Sequence, residues 1–210
     1  IDGETERAIE QDIFDDLKSE ISDFKFHEVD SSKSAEYQTA YLEYLAEEFR
    51  DLRLENFKMV VDCANGAASA LAPRLLGRFG AEVVLINCEP DGLNINRDCG
   101  SLHLEKVQAK VLEEKADFGV AFAGDADRAL FVDERGNLVD GDAALWIMAQ
   151  FLSEHGRLKN QTVVATVMSN IGLELAINSK NFKLLRTAVG DKYVLEELLK
   201  TGASLGGEQS

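Results

Sequence analysis

Residues 60–87 read VVDCANGAASALAPRLLGRFGAEVVLIN and predict a buried strand, a turn, a helix and a second strand. Short apolar runs bounded by glycine or asparagine, with a helical pattern between them, are typical of strands joined by a helix. Residues 163–190, VVATVMSNIGLELAINSKNFKLLRTAVG, repeat this order of runs and turns with slight identity. We therefore expect an α/β fold with two similar layers, each a sheet flanked by helices.

A turn at residues 137–142 separates the two copies. Gly136-Asn137 turns the chain, and Asp142 is predicted to cap a helix from Ala143 to Glu154. The preceding residues 1–33 are acidic and carry isoleucine or leucine at every fourth position from Ile9, which predicts a helix with one buried face. We expect a helical segment over residues 1–35, a first α/β domain over 36–138 and a second over 139–210.

The composition favours a globular domain and disfavours anionic partners. Of 210 residues, 45% are hydrophobic, and 38 acidic against 22 basic residues give a net charge of −16. A chain this acidic lacks the basic face that nucleic acid or an anionic membrane would require. The longest apolar stretch, residues 143–152, is too short to span a bilayer. The three cysteines form no CxxC pair, and reduced thiols in a cytoplasmic protein are the simplest interpretation.

The residues that best indicate chemistry are Phe122-Ala123-Gly124-Asp125-Ala126-Asp127-Arg128, between two apolar runs. Asp125 and Asp127 are two positions apart, so a turning backbone can bring both carboxylates to one cation. Hard oxygen ligands beside an arginine suggest Mg²⁺ and phosphate, because Mg²⁺ takes one or two carboxylates and fills its other positions with water or phosphate oxygens. A solvated acidic hairpin turn without a metal remains the alternative.

Two other kinds of site have little support. No G-x-G-x-x-G follows the first strand, where Asn65-Gly66 stands, so a dinucleotide site is not indicated. His27, His103 and His155 are far from one another and from the cysteines along the chain, so a zinc site is not indicated either.

Several motifs, in order, resemble the α-D-phosphohexomutases. Residues 124–128 are similar to that family's metal loop, whose usual form is Asp-Gly-Asp-x-Asp-Arg. Further matches lie at residues 61–67, 89–96, 99–101, 186–194 and 206–210, and several of them resemble the phosphoglucosamine mutase branch. The resemblance runs from about residue 37 to 210. It implies mixed sheets flanked by helices, a second layer that is incomplete, and residues 1–35 as the tail of a preceding domain.

The resemblance also implies a role for individual residues. Asp125 and Asp127 would bind Mg²⁺, and Arg128 would hold the phosphate group at the reaction centre, unless it only anchors its loop by a salt bridge. Gly190 and Asp191 lie in a strand-to-helix turn whose N–H groups suit an anion. Asp191 would otherwise be the N-cap of a helix from Lys192 to Lys200. Glu208 and Ser210 match residues that bind sugar hydroxyls, unless they only form the end of a glycine-rich loop without a special role.

The implied reaction interconverts glucosamine 6-phosphate and glucosamine 1-phosphate through a phosphoserine and a bisphosphorylated intermediate. The serine motif and the fourth-domain phosphate loop are not among these residues, and Ala123 stands where the family's first metal aspartate is expected. Met168 and Asp191 differ from the lysine and histidine of related mutases, which leaves the general acid and base unassigned. We expect the sequence to be a piece of a longer protein, inactive alone, with a phosphorylated amino sugar as its partner.

Three interpretations of function stay open at this point. The first is a phosphoglucosamine mutase, and the second is a phosphomannomutase/phosphoglucomutase, against which Gln209 and the Val-Gly-Asp sequence of residues 189–191 argue. The third is a non-catalytic module that binds a phosphosugar or another protein. A homodimer is compatible with all three.

Overall fold

Two compact units make up the chain, over residues 1–39 and 40–210. The computed structural model describes residues 3–17 and 31–209. In the first unit, helix α1 (Gly3–Leu17) has the predicted Ile9 and Ile13 on its surface, 45% and 53% exposed. Its predicted buried face is therefore not seen in this unit, and Ile21 lies outside the described residues. A short 3₁₀ turn, Ser31–Lys33, leads into helix α2 (Ser34–Glu48).

The first sheet of the second unit is mixed, as predicted, with strand order β2-β1-β3-β4-β5. Strands β1, β2 and β3 are parallel, whereas β4 and β5 are antiparallel to their neighbours. The elements in chain order are β1 (Lys58–Asp62), α3 (Ala68–Arg78), β2 (Glu82–Ile86), α4 (Glu105–Glu114), β3 (Phe118–Phe122), β4 (Ala129–Asp133) and β5 (Leu138–Val139).

Alternation along β1 builds a core on each face of this sheet. Val61 packs with Ala68 of α3 on one face, whereas Val60 packs with Val107 and Val111 of α4 on the other. All of these side chains except Ala68, which is 5% exposed, are fully buried. A parallel sheet covered on both faces reads as a continuous apolar run, which is why residues 58–64 look buried in sequence.

The second sheet has the order β7-β6-β8, and its three strands are parallel over the residues that the structure describes. Its elements are α5 (Gly141–Glu154), β6 (Thr162–Thr166), α6 (Ile171–Ser179), β7 (Lys183–Thr187), α7 (Asp191–Thr201) and β8 (Leu205–Gly206). The core between α5, α6 and the sheet contains the buried side chains of Leu145, Val163 and Ile177. The predicted second α/β layer is therefore present, with its own core.

The structure corrects two predicted helix caps. The N-cap of α5 is Asp140, whose carboxylate accepts a hydrogen bond from the Ala143 N–H at 2.9 Å. Asp142 is instead buried inside the first turn, where it accepts from the Asn170 N–H at 2.8 Å. Asp191 is the first residue of α7 rather than its cap, which is Gly190. At α5 a contact distant in sequence determines which residue is the N-cap. At α7 the backbone conformation of glycine determines it.

No helix among the described residues is long and apolar enough to cross a membrane.

Candidate functional site

The acidic loop, residues 123–128, joins β3 to β4 at the carboxyl end of β3. It closes on itself through two backbone bonds, from the Ala123 N–H to the Arg128 carbonyl and from the Ala126 N–H to the Ala123 carbonyl, each 2.8 Å. A third bond runs from the Asp127 N–H to the Asp125 carboxylate at 3.2 Å. Ala126 has a positive φ of 60°, which lets the loop reverse tightly. The two carboxylates are therefore held in one turn.

The neighbouring turn between β1 and α3 fixes the loop at Gly124. The Ala67 N–H donates to the Gly124 carbonyl at 2.8 Å, and a side chain at Gly66 would collide with that same carbonyl oxygen. On the other side, a Cβ at Gly124 would lie 2.6 Å from a carbon of Ile95. Gly66 is required because the backbone of Gly124 approaches it more closely than a Cβ permits, whereas a side chain at Gly124 would displace the side chains of Ile95 and Asn96.

Asp125, Asp127 and Arg128 are exposed, whereas Ala123 is only 6% exposed. Two accessible carboxylates suit a hard cation such as Mg²⁺, which can fill its other positions with water or phosphate oxygens. The donor chemistry of the loop therefore fits magnesium, with two acidic ligands rather than three. No group of three or more His, Cys, Asp or Glu side chains that could hold a metal ion occurs within the described residues.

Gly190, Asp191 and Glu208 lie at the carboxyl edge of the second sheet. Glu208 follows β8, and its Oε1 accepts a hydrogen bond from the Gly190 N–H at 2.9 Å. The Gly190 N–H is therefore already occupied, unlike the open anion site that the sequence suggested. The Asp191 carboxylate accepts from the Lys192 N–H at 2.7 Å. Ser210 lies outside the described residues.

The start of α5 holds the backbone around Glu208. The Gly141 N–H donates to the Gln209 carbonyl at 2.9 Å, and a side chain at Gly141 would collide with the Glu208 carbonyl oxygen. Residues that join the two layers thus set the position of the Glu208 backbone. The sequence singled out the turn at 137–142 but not this role of Gly141.

One cavity of about 420 Å³ brings the two sets of residues together. The acidic loop contributes Asp127 and Arg128, and the second layer contributes Asp191 and Glu208. The remaining lining residues are Ala129, Val194, Leu195, Leu198, Gly206 and Gly207. The acidic loop and Glu208 therefore share a cavity beyond the carboxyl ends of β3 and β8, where ligands of open α/β sheets commonly bind. Three carboxylates and one guanidinium can orient a polyol and hold one phosphate.

A buried carboxylate that the sequence analysis missed organises the same edge of the first sheet. Asp62, the last residue of β1, is fully buried and accepts hydrogen bonds from the Ala64 N–H, the Asn87 side-chain amide and the Gly100 N–H. The available signal was an acidic residue directly after three apolar ones in a buried strand. A buried charge requires such partners.

Comparison with known proteins places both layers in one family. Residues 39–136 match the profile described as phosphoglucomutase/phosphomannomutase, alpha/beta/alpha domain II, and residues 140–210 match that of domain III. A crystal structure of a phosphoglucomutase/phosphomannomutase family protein from Burkholderia thailandensis has a TM-score of 0.75 at 28% identity. It covers 100% of this chain, which spans 44% of that protein.

Two similar curated proteins carry the name phosphoglucosamine mutase. The one from Caldicellulosiruptor saccharolyticus is 50% identical over 205 residues, which are 98% of this chain and 46% of that protein. The one from Thermoanaerobacter sp. is 55% identical over 170 residues, which are 81% of this chain and 38% of that protein. The chain thus spans about half the length of these relatives. With its two α/β layers, its acidic loop and both profile matches, the chain belongs to the phosphoglucomutase/phosphomannomutase family, the α-D-phosphohexomutases.

Proposed function

We propose that this chain is part of an isomerase that interconverts glucosamine 6-phosphate and glucosamine 1-phosphate. The observation that carries the proposal is the cavity in which the acidic loop and Arg128 face Asp191 and Glu208. The two relatives named phosphoglucosamine mutase support the choice of an amino sugar over mannose or glucose. The three free cysteines support a reducing compartment, and we place the protein in the cytoplasm.

In this proposal each cavity residue has a separate task. Arg128, exposed beside the two aspartates, binds oxygens of the phosphate through its planar guanidinium. Glu208 keeps one carboxylate oxygen on Gly190 and offers the other to a sugar hydroxyl, with Ser210 as the second hydroxyl ligand. Gly190 and Asp191 shape the turn against which the phosphosugar lies. Phosphoryl transfer depends mainly on such positioning and on charge stabilisation.

Asp125 and Asp127 are the residues that we propose to hold magnesium. When bound there, the ion would neutralise charge on the transferring phosphoryl group. The loop backbone is closed by its own hydrogen bonds, and the Asp125 carboxylate accepts one from the Asp127 N–H, so the turn that carries both residues is formed before any ion arrives.

A second candidate function is a phosphosugar-binding module without catalysis. The observation that favours it is Ala123, which is buried at the base of the acidic loop and has no oxygen ligand in its side chain. A loop with two acidic ligands would bind magnesium more weakly than one with three.

A chimera separates the two candidates. We would replace the aligned segment of the Caldicellulosiruptor saccharolyticus protein with this chain, which is 50% identical to it, and assay the conversion of glucosamine 6-phosphate. If the chimera converts glucosamine 6-phosphate faster than the same chimera with Arg128→Ala, the result supports the mutase function. Ala123→Asp should raise the rate of conversion further. Conversion of glucose or mannose 6-phosphate at a higher rate would contradict the amino-sugar assignment. An inactive chimera that still binds glucosamine 6-phosphate favours the binding module. The 210-residue chain alone should show no conversion above a mock preparation.

A further inference from the structure

Asp62 makes three hydrogen bonds to three places in the chain, one in the turn between β1 and α3 and two at opposite ends of the segment between β2 and α4. Its Oδ1 accepts from the Ala64 N–H at 2.9 Å, in the turn between β1 and α3. Its Oδ2 accepts from the Asn87 side-chain amide at 2.9 Å, directly after β2, and from the Gly100 N–H at 3.1 Å, in the segment before α4. The side chain has no exposed surface, so these bonds are not exchanged for water. One carboxylate thus ties together the segments beyond β1 and β2.

The same segments form the wall on which the acidic loop rests. In the turn that starts at Ala64, the Ala67 N–H holds the Gly124 carbonyl at 2.8 Å. Near the end of the segment between β2 and α4, a Cβ on Gly100 would lie 2.6 Å from the carbonyl oxygen of Phe122, the residue directly before the loop. Asp62 touches neither Asp125 nor Asp127, and any effect on them passes through these backbone contacts.

The residues that directly follow β2, together with Asn96, complete this wall. The Asn65 N–H donates to the Asn87 carbonyl at 2.6 Å, and the Asn96 N–H donates to the Ala64 carbonyl at 2.9 Å. Asn96 lies against Gly124, because its side-chain nitrogen would be 2.7 Å from a Cβ there. Every group that donates a hydrogen bond to Asp62 therefore lies in a segment of chain that either contacts the acidic loop or is hydrogen-bonded to a segment that contacts it.

We propose that Asp62 is a positioning residue for the acidic loop, which fixes the place of Gly124 and thereby the geometry of the two metal-binding carboxylates. The metal part of this inference rests on the proposed function, whereas the positioning of Gly124 does not. Supporting residues behind a metal site commonly change metal affinity by about 10-fold to 100-fold when they are replaced.

Asp133 provides a matched control for the same substitution. Its carboxylate also accepts three hydrogen bonds, from the Arg135 and Asn137 N–H groups and from the Asn137 side chain. It lies at the opposite edge of the first sheet, where β4 ends beside Phe118, the first residue of β3. Asp133→Asn therefore removes a carboxylate with the same number of hydrogen bonds, at a half-buried position, without touching the wall of the acidic loop.

The experiment measures amide hydrogen exchange and Mn²⁺ affinity in the 210-residue chain, for Asp62→Asn and Asp133→Asn. We expect the protection factor of the Ala67 amide to fall about fivefold to tenfold in Asp62→Asn and to stay unchanged in Asp133→Asn. A fall of this size corresponds to one weakened hydrogen bond. The Gly207 amide, bonded to Val164 in the second layer, is the internal reference for global stability. Mn²⁺ affinity should fall about tenfold in the same variant.

The outcomes separate the two proposals. Equal protection of Ala67 in the two variants overturns the positioning role, and so does an unchanged Mn²⁺ affinity in Asp62→Asn. If the wild-type chain binds no Mn²⁺ while Ala67 loses protection, positioning is supported and the metal part of the proposed function fails. If Asp62→Asn does not fold, Asn87→Gly decides by the same readouts. It removes one donor to Asp62 and keeps the left-handed backbone at φ 48°.

Discussion

The carboxylate of Glu208 accepts a hydrogen bond from the Gly190 N–H at 2.9 Å, and so joins the end of β8 to the start of α7. One carboxylate oxygen of Glu208 is thus hydrogen-bonded within the protein. This bond orients the carboxylate in the cavity that Glu208 lines. If a sugar binds there as we propose, a preorganised group loses less conformational entropy on binding. The same bond closes the turn that begins α7.

This bond predicts a difference between two substitutions of Glu208. Glu208→Ala should lower the free energy of unfolding by about 1 kcal/mol, because the part-buried Gly190 N–H loses its acceptor. Glu208→Gln keeps an acceptor oxygen at that place and should lower it by less. Urea unfolding measures both, with Glu196→Ala, at an exposed position of α7, as the control. Equal losses for the alanine and glutamine variants would show that the bond contributes nothing.

Ala123→Asp should tighten the binding of Mg²⁺ or Mn²⁺, because a third carboxylate adds attraction to the cation. The metal-free variant should be slightly less stable, since three carboxylates repel one another and position 123 is buried. Calorimetric titration of both forms measures the affinity. Ala126→Asp adds the same charge to the loop at an exposed position and should have a smaller effect. Equal affinities for wild type and Ala123→Asp would mean that residue 123 is not the ligand position.

An ion-pair cluster at the amino-terminal edge of the first sheet predicts a pH dependence of stability. Hydrogen bonds from Lys58 and Lys110, at 2.8 and 2.9 Å, lower the pKa of Glu114 from 4.5 to about 2. The folded state therefore binds this proton less tightly than the unfolded state does. The stabilisation is present above about pH 4.5 and is lost as the pH falls towards 2.

Glu114→Gln tests this dependence. The difference in unfolding free energy between wild type and Glu114→Gln should be constant at neutral pH and shrink between pH 4.5 and 2. Glu113→Gln, whose side chain is 68% exposed, should show a smaller change over the same interval. The pKa values of Lys58 and Lys110 are raised by the same pairs, so stabilisation is also lost as the pH rises through their folded-state pKa values, above 10.5. A flat difference across the acidic interval would contradict the assignment.

The three cysteines should react with maleimide at different rates in the folded chain. Burial raises the pKa of the Cys63 thiol to about 12 and also raises that of Cys99, so few thiolates form at either position. Cys88 is only half-buried and should be labelled first. Mass spectrometry of peptides after short labelling gives the order, and all three should react at similar rates in denaturant. Early labelling of Cys63 would indicate that the end of β1 opens.

The sequence by itself determined the elements whose signal is local. Residues 60–87 form the predicted order of strand, turn, helix and strand, as β1, α3 and β2, and β3 and β4 flank the acidic loop where the two apolar runs lie. The repeated order of strand, turn and helix also predicted two α/β layers. These features depend on neighbours a few residues apart, so their pattern is visible in one stretch of chain.

Only the tertiary structure decided which polar groups meet. Asp140 and Asp142 are equally suitable residue types for a helix N-cap. Asp142 is buried because it accepts a hydrogen bond from the N–H of Asn170, 28 residues away, and Asp140 is the cap. The three donors of Asp62 and the bond from Gly190 to Glu208 likewise join segments that periodicity does not relate. A buried carboxylate must find donors wherever folding places them, and that placement is fixed by the packing of whole elements rather than by spacing along the chain.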